Sequence, residues 1–248
     1  MIISTNGKGG TGKTTVAALI VNHLASKPSG KVLALDADPN CTLANALGMR
    51  LDTTMVGVIE EASQKMANLP AGMTKDRFIE MRVQESIVEG DKFDLLAMGR
   101  PEGPGCYCYV NTVLRNVLGK VIKSYDFIVI DNAAGMEHIS RRTERAIDKL
   151  VLVSDYSAIG IRSSKRIYDL AKEIGIKVKE AFLIINKVAG PLDSLKAEVA
   201  ASGIPLAGAL DYDNELVELS IKDAPVAELK GRKIAAMFGE LMKTIMGR

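Results

Sequence analysis

The sequence predicts an alternating α/β fold, in which a mostly parallel, twisted sheet carries helices on both faces. Short apolar runs alternate along the chain with longer segments of helical period, which favours right-handed βαβ units. The apolar runs are continuous, as expected for strands that are covered on both faces. The 248 residues, 47% hydrophobic and 25% charged, suit an ordinary globular protein, and no repeat or linker-like change of composition divides them. We therefore expect one domain, residues 1–248.

Each predicted strand is short and rich in β-branched residues or leucine. The predicted strands are Ile2–Thr5, Val32–Asp36, Phe93–Met98, Phe127–Asp131, Leu150–Ser154, Ala181–Asn186 and Ile204–Leu210. Helical periodicity predicts helices at Thr14–Ser26, Tyr109–Ile122, Arg162–Ile174 and Leu195–Ala201. The more polar stretch Thr53–Arg82 predicts a helical insertion at one edge of the sheet.

The composition narrows the classes of partner. With 32 Lys and Arg against 30 Asp and Glu, 4% aromatics and no Trp, the chain offers neither a strong basic field nor stacking platforms, so we expect no nucleic-acid partner. Three cysteines cannot form a disulfide framework and suit a reducing compartment. The sequence shows no export signal and no apolar run of about 20 residues. We therefore expect a cytoplasmic protein that is not embedded in a membrane.

The strongest motif directly follows the first predicted strand. Residues 7–14 read GKGGTGKT, which satisfies the phosphate-loop pattern G-x-x-x-x-G-K-[ST] between a strand and an amphipathic helix, and so predicts a P-loop NTPase fold. The glycines let successive backbone N–H groups turn toward phosphate oxygens, while Lys13 reaches the β- and γ-phosphates, Thr14 binds Mg²⁺ and Thr15 lies near the α-phosphate. The residues expected to form this part of the nucleotide site are Gly7, Gly9, Gly10, Thr11, Gly12, Lys13, Thr14 and Thr15.

A second lysine, Lys8, makes the loop read KGGTGKTT. In this respect the sequence resembles the deviant phosphate-loop ATPases, the group that includes MinD, ParA, the nitrogenase iron protein and metal-insertion ATPases. The resemblance implies an ATPase that forms a homodimer with ATP, in which Lys8 crosses the interface to contact the partner's nucleotide. The alternative role for Lys8 is a solvated charge in the loop.

Two further strands end in carboxylates, at the edge of a parallel sheet where ligands bind. Residues 36–40 read DADPN, and the resemblance implies that this is switch I, with Asp38 orienting or activating the attacking water and Asp36 supporting it. The alternative is that Asp38 is a plain helix N-cap. Residues 131–135 read DNAAG and resemble switch II; Asp131 would hold Mg²⁺ through water, and Gly135 would let the backbone approach the γ-phosphate.

Another predicted strand ends at Asn186, which resembles the adenine-facing asparagine of the family. Residues 211–214 are candidates for the rest of the base pocket.

Residues 103–111 hold two cysteines at a spacing of two, Cys106 and Cys108, after a loop of Gly and Pro. Such a pair can present both thiolates on one side of an extended chain, the alternative being two buried structural cysteines. Soft tetrahedral metal sites take four ligands, and a twofold dimer supplies four thiolates across its axis. With the deviant loop and DADPN, the block EGPGCYCY resembles the CooC family of nickel-insertion ATPases. The resemblance implies that Cys106 and Cys108 bind Ni²⁺ or Zn²⁺ at the dimer interface, and that ATP gates transfer to a nickel enzyme, carbon monoxide dehydrogenase or acetyl-CoA synthase.

Two other functions remain as alternatives. An ATP-gated iron–sulfur electron carrier of the nitrogenase iron protein type takes cysteines from two separated segments, yet residues 131–138 contain none. The form of this alternative that stays open is a cluster held by Cys106 and Cys108. A positioning ATPase of the MinD or ParA kind could use an amphipathic C-terminal helix at a membrane, whereas the same apolar stripe could simply pack on the sheet. That stripe comprises Ile234, Met237, Phe238, Leu241, Met242 and Ile245. Cys41 is expected to be a small buried filler, the alternative being a redox or ligand role.

Overall fold

The computed structural model describes residues 1–28, 30–64, 72–100, 118–133, 146–229 and 232–247. The described strands form one parallel sheet in the order β3-β2-β4-β1-β5-β6-β7, with β1 at its centre. Their bounds are Ile2–Asn6 (β1), Val32–Asp36 (β2), Asp94–Ala97 (β3), Phe127–Asp131 (β4), Ile147–Ser154 (β5), Val178–Val188 (β6) and Leu206–Asp211 (β7). The predicted α/β fold with a parallel sheet is confirmed.

Helices cover both faces of this sheet. Their bounds are Lys13–Ala25 (α1), Thr42–Leu47 (α2), Met55–Gln64 (α3), Lys75–Glu85 (α4), Ala158–Glu173 (α5), Lys196–Ser202 (α6), Asn214–Ile221 (α7) and Arg232–Met246 (α8). Because side chains alternate along a strand, Ile3 packs with α1, α2 and α8, while its neighbour Ile2 packs on the opposite face with α3 and α4. The helices α5 and α6 cover that opposite face over β5 and β6.

The predicted strands all occur, with ends that differ by up to three residues. Both β5 and β6 begin three residues earlier than predicted, where the sequence turns polar. Lys149 of β5 lies beside Glu180 of β6 in the strand register, and the two side chains form an ion pair. This cross-strand pair lets charged residues continue the two strands, which a purely apolar pattern does not indicate.

The segment Thr53–Arg82 does contain helices, and they lie over the end of the sheet whose edge strand is β3. Met55 and Ile59 of α3 and Ile79 of α4 are buried against Leu33 and Leu96 of β2 and β3. The polar side chains of this segment that the structure describes are exposed or half-buried, on helices that cover one face of the sheet. Of the predicted helix Tyr109–Ile122, residues 118–121 are helical, and residues 109–117 lie outside the described part of the chain.

The C-terminal helix α8 packs its apolar stripe into the core. Ile234, Phe238, Leu241, Met242 and Ile245 are all at most 3% exposed and join the cluster formed by α1 and the β-sheet. This arrangement corresponds to the packing alternative for the stripe, whose remaining member, Met237, is half-buried against the same cluster. In the described ranges, no helix is both long and apolar enough to cross a bilayer.

Candidate nucleotide site

A cleft of about 850 Å³ opens at the carboxyl edge of the sheet, where the loops after β1, β2, β4 and β7 meet the end of β6. This is the position at which parallel α/β sheets bind ligands, and the size suits a nucleotide. The residues that line it are Gly9, Gly10, Gly12, Lys13, Thr14, Thr15, Asp38, Pro39, Asn40, Ala133, Asn186, Lys187, Asp211, Tyr212, Asp213, Leu216, Val217, Ser220 and Ile221.

The loop between β1 and α1 is shaped by close backbone approaches. A Cβ atom on Gly7 would lie 2.2 Å from the carbonyl oxygen of Val153, so only glycine fits beneath the loop. Gly12 has φ +91°, and its Cβ would lie 2.3 Å from Nδ2 of Asn186. Among the described residues, no side chain caps α1, whose first residue is Lys13, so its N-terminal N–H groups can donate to phosphate oxygens.

Lysine side chains occupy different positions in this loop. Lys13 is only 8% exposed, and its Nζ donates to the carbonyl oxygen of Lys8 at 3.3 Å. The side chain of Lys8 itself is exposed. A buried ammonium at the start of a helix makes this end of the cleft strongly favourable for anions.

Two side chains at the end of β6 hold the phosphate loop through hydrogen bonds to its backbone. Nδ2 of Asn186 donates to the carbonyl oxygen of Thr11 at 2.9 Å, and Nζ of Lys187 donates to that of Gly10 at 2.8 Å. Lys187 adopts φ +59°, a conformation that is uncommon for a residue with a side chain. Asn186 therefore lines the cleft and also supports the phosphate loop, while its adenine-facing role stays a prediction. Sequence reasoning missed Lys187, although the Asn-Lys pair at a strand end was its signal.

Asp36 organises the loop after β2. Its carboxylate is fully buried and accepts the backbone N–H groups of Asp38, at 3.0 Å, and Leu43, at 2.8 Å. Burial raises the pKa of Asp36 to about 7, against the opposing effect of the N–H of Leu43, and the Asp131 carboxylate raises it further. Asp36 thus satisfies the N-terminus of α2, although sequence analysis considered Asp38 for that task.

Asp38 is not the N-cap of α2, because that position belongs to Cys41, which has φ +52°. Oδ1 of Asp38 instead accepts the N–H of Asn40 at 2.9 Å, and Asp38 lines the cleft half-buried. Cys41 is half-buried, and burial, followed by the Asp36 carboxylate, raises the pKa of its thiol. A thiol with a raised pKa is a poor nucleophile and metal ligand, although Cys41 is less buried than the expected filler role requires.

Asp131 at the end of β4 is fully buried. Its Oδ1 accepts the hydroxyl of Thr5 at 3.2 Å, whereas its Oδ2 is buried without a hydrogen-bond partner among the described residues. Burial raises the pKa of Asp131 to about 6, opposed by the Thr14 hydroxyl and the Lys13 ammonium. A buried carboxylate oxygen left without a partner, beside a threonine hydroxyl, fits a hard divalent cation such as Mg²⁺.

One further hydroxyl reaches this corner of the site. Oγ1 of Thr42, the first residue of α2, lies 3.5 Å from Oγ1 of Thr14. The sequence carried no motif at this position. It is brought there by the way Asp36 anchors the start of α2.

The far wall of the cleft comes from the end of β7 and the loop that follows it. Asp211, Tyr212 and Asp213 line this wall, and their role as the base side of the pocket stays a prediction. Asp211 pairs with Lys233 of α8, and Oδ1 of Asp213 accepts the N–H of Leu216 at 3.0 Å and so caps α7. Both carboxylates are therefore engaged within the protein.

Three predicted residues, Gly135, Cys106 and Cys108, lie outside the described residues, as does the whole 103–111 segment. Within the described ranges, no group of three or more His, Cys, Asp or Glu side chains could hold a metal ion.

Comparison with known proteins gives the following matches. Residues 2–226 match the family model described as CbiA: CobQ/CobB/MinD/ParA nucleotide binding domain. The chain is 41% identical to an uncharacterized ATP-binding protein of Methanocaldococcus jannaschii over 92% of this chain and 91% of that protein. It is 28% identical to the carbon monoxide dehydrogenase accessory protein CooC of Rhodospirillum rubrum over 87% of this chain and 85% of that protein. The cell division ATPase MinD of Pyrococcus furiosus is similar in structure, with a TM-score of 0.72, 24% identity and coverage of 99% of this chain and 98% of that one.

Proposed function

Since the chain belongs to the CobQ/CobB/MinD/ParA family of nucleotide-binding ATPases, we propose that it is an ATP-hydrolysing metallochaperone. Two copies pair on ATP, bind Ni²⁺ or Zn²⁺ between them through Cys106 and Cys108, and deliver nickel to a nickel enzyme. ATP binding and hydrolysis are supported by the cleft, which combines a phosphate loop, a buried lysine and a buried carboxylate.

In this proposal, the loop from Gly7 to Thr15 binds the phosphates of ATP through its backbone N–H groups and Lys13. Thr14 and Asp131 hold Mg²⁺, which neutralises charge on the β- and γ-phosphates when bound. Asp38 orients the attacking water. The side chain of Lys8 is exposed, which suits a residue that acts on the nucleotide of a second copy.

Coupling between the nucleotide and the metal is supported by the position at which the chain enters the C-x-C segment. The chain enters it from Gly99 and Arg100, directly after β3. There the N–H of Met98 donates to the carbonyl oxygen of Asp36 at 2.8 Å, so this exit is attached to the end of β2, the strand that leads to Asp38. The likeness to the accessory protein CooC favours a nickel client such as carbon monoxide dehydrogenase or acetyl-CoA synthase.

Two observations weigh against the alternatives. The membrane-positioning function of a MinD-like protein is disfavoured because the apolar stripe of α8 is buried. An iron–sulfur carrier is disfavoured because the sequence offers no cysteine after switch II. Ultraviolet–visible spectra of anaerobically purified protein distinguish the last case, since an iron–sulfur protein is coloured and a zinc-loaded metallochaperone is colourless.

The decisive experiment is an equilibrium titration with Ni²⁺ and with Zn²⁺, followed by sizing with and without ATP. We expect one ion per dimer, lost in Cys106→Ser/Cys108→Ser while nucleotide binding survives. The matched control is Cys41→Ser, which removes the remaining thiol and should leave the stoichiometry unchanged. One ion per monomer, held without pairing, would contradict the interface site.

The role of Lys8 has its own test. We expect Lys8→Ala to lose both ATP-driven dimerisation and hydrolysis, because the variant lacks the charge that contacts the partner's nucleotide. The control is Lys92→Ala, which removes an exposed lysine that does not line the cleft. Turnover of Lys8→Ala at the rate of the unmodified protein would exclude this lysine from the mechanism.

A further inference from the structure

Three buried polar side chains meet at the carboxyl ends of the two central strands, β1 and β4. Ser4, Asn6 and Asn132 are 2%, 1% and 5% exposed. They follow Ile2 and Ile130 on one face of the sheet, where a covered parallel strand is normally apolar. Buried polar groups at such positions reduce stability unless they are hydrogen-bonded. We refer to Ser4, Asn6 and Asn132 as the polar clamp.

The hydrogen bonds of the polar clamp converge on one hydroxyl. Oγ of Ser4 accepts Nδ2 of Asn132 at 2.8 Å and Nδ2 of Asn6 at 3.0 Å. Nδ2 of Asn132 also donates to the carbonyl oxygen of Thr5 at 3.1 Å, and its backbone N–H donates to the same oxygen at 3.3 Å. The clamp therefore ties the first residue after β4 to the last three residues of β1.

The backbone ladder between β1 and β4 already holds the two strands in register, with Thr5 beside Asp131. What the side chains add is control of the two segments that leave the sheet toward the cleft. Asn6 directly precedes Gly7, the start of the phosphate loop. Asn132 lies between Asp131 and Ala133, which lines the cleft.

One polar atom of the clamp lacks a hydrogen-bond partner, which is unexpected if the three residues serve stability alone. Oδ1 of Asn6 is buried and accepts no hydrogen bond within the described part of the chain. Apolar residues at these positions would avoid that desolvation cost, so the polar side chains point to a function of the site.

We infer that Ser4, Asn6 and Asn132 are positioning residues for ATP hydrolysis, which hold Asp131 and the start of switch II at a set distance from the phosphate loop. The inference rests on the proposed role of Asp131 in holding Mg²⁺, but not on metal delivery. A small displacement of a carboxylate at a reacting centre lowers the rate of the chemical step more than it lowers ground-state binding.

The test compares Ser4→Ala, Asn132→Ala and the double variant in steady-state ATP turnover. We expect each single variant to lose about 10- to 100-fold in kcat and to need more Mg²⁺ for half-maximal rate, while the affinity for ADP without Mg²⁺ stays within about twofold. Because the residues act as one unit, the double variant should be no slower than the slower single variant.

The matched control is Ser164→Ala, which removes an equally buried hydroxyl from α5 that has no hydrogen-bond partner among the described residues. It should keep the kcat and the Mg²⁺ dependence of the unmodified protein. If Asn132→Ala does not fold, Ser4→Ala alone carries the test.

Two results would overturn the proposed role of the clamp. One is an unchanged kcat in a folded Ser4→Ala protein, and the other is a loss of kcat in the double variant equal to the product of the two single losses. Asp131→Asn separates this outcome from failure of the proposed function. If Asp131→Asn abolishes turnover and the clamp variants do not impair it, only the clamp fails. If Asp131→Asn turns over normally, the proposed Mg²⁺ role fails as well.

Discussion

Asp131 reduces the stability of the nucleotide-free protein, and Asp131→Asn tests this directly. Its pKa is raised from 3.8 to about 6 by burial. In the unfolded chain the carboxyl of Asp131 ionises with a pKa near 3.8. The fold favours the protonated form, so its contribution to stability is complete below pH 3.8 and is lost as the pH rises through about 6. At 1.36 kcal/mol per pH unit, the ionised carboxylate reduces the free energy of unfolding by about 3 kcal/mol at pH 8.

Substitution by asparagine removes this titration while keeping the shape of the side chain. Between pH 5 and pH 8 the folded protein loses the proton of Asp131 and the unfolded chain has almost none to lose, so the wild-type stability falls by at least about 1.4 kcal/mol relative to the variant. The substitution also removes the charge that raises the pKa of Asp36, which acts in the same direction. Urea denaturation of the nucleotide-free proteins at the two pH values measures this difference. In excess Mg-ADP at pH 8 the wild-type protein should gain more stability than the variant, because only the wild type offers the carboxylate to Mg²⁺.

The control is Asp148→Asn. Burial acts to raise the pKa of Asp148, but hydrogen bonds from Lys179 and from the N–H of Ile2 outweigh it and hold the pKa below 3.8. Asp148 is therefore ionised in both states from pH 5 to pH 8, and the effect of its substitution should be the same at both. An Asp131→Asn effect that is equally independent of pH would refute the reasoning about desolvation.

Two further predictions concern packing. Gly12→Ala should weaken ADP binding about 10- to 100-fold, because a methyl at φ +91° displaces the Asn186 amide from the phosphate loop. Gly119→Ala, which has open space around the new methyl, should bind ADP like the unmodified protein. Calorimetric titration measures both, and equal ADP affinities of the two variants would contradict the argument. Phe238→Ala should lower the free energy of unfolding by about 3–5 kcal/mol in urea denaturation, since the ring is 3% exposed in the core. ATP-dependent sedimentation of the wild-type protein with anionic vesicles would contradict that account of α8.

The parts of the fold that could be predicted from sequence depend on short-range pattern. The bounds of β2 and β4 were predicted without error because each is a continuous apolar run that ends in an aspartate. The extensions of β5 and β6 were missed because they depend on Lys149 meeting Glu180 of another strand. The face of the sheet that α3 and α4 cover was not predicted for a similar reason, since it depends on which strands the helices meet.

The candidate site divides in the same way. Lys13, Thr14 and the loop glycines were identified because the phosphate loop is one contiguous stretch. Lys187 and Thr42 reach the site from positions far along the chain, by contacts with Gly10 and Thr14 that no local pattern encodes.

The sequence by itself determined that this protein has a parallel α/β fold and a nucleotide loop, because both follow from the order of neighbouring residues. Only the tertiary structure decided that Asp36 supports α2, that α8 is buried and that Ser4 joins Asn6 to Asn132. The physical reason is that hydrogen bonds and burial depend on distance in space, and the register of β1 against β4 brings Ser4 and Asn132 together although 128 residues separate them.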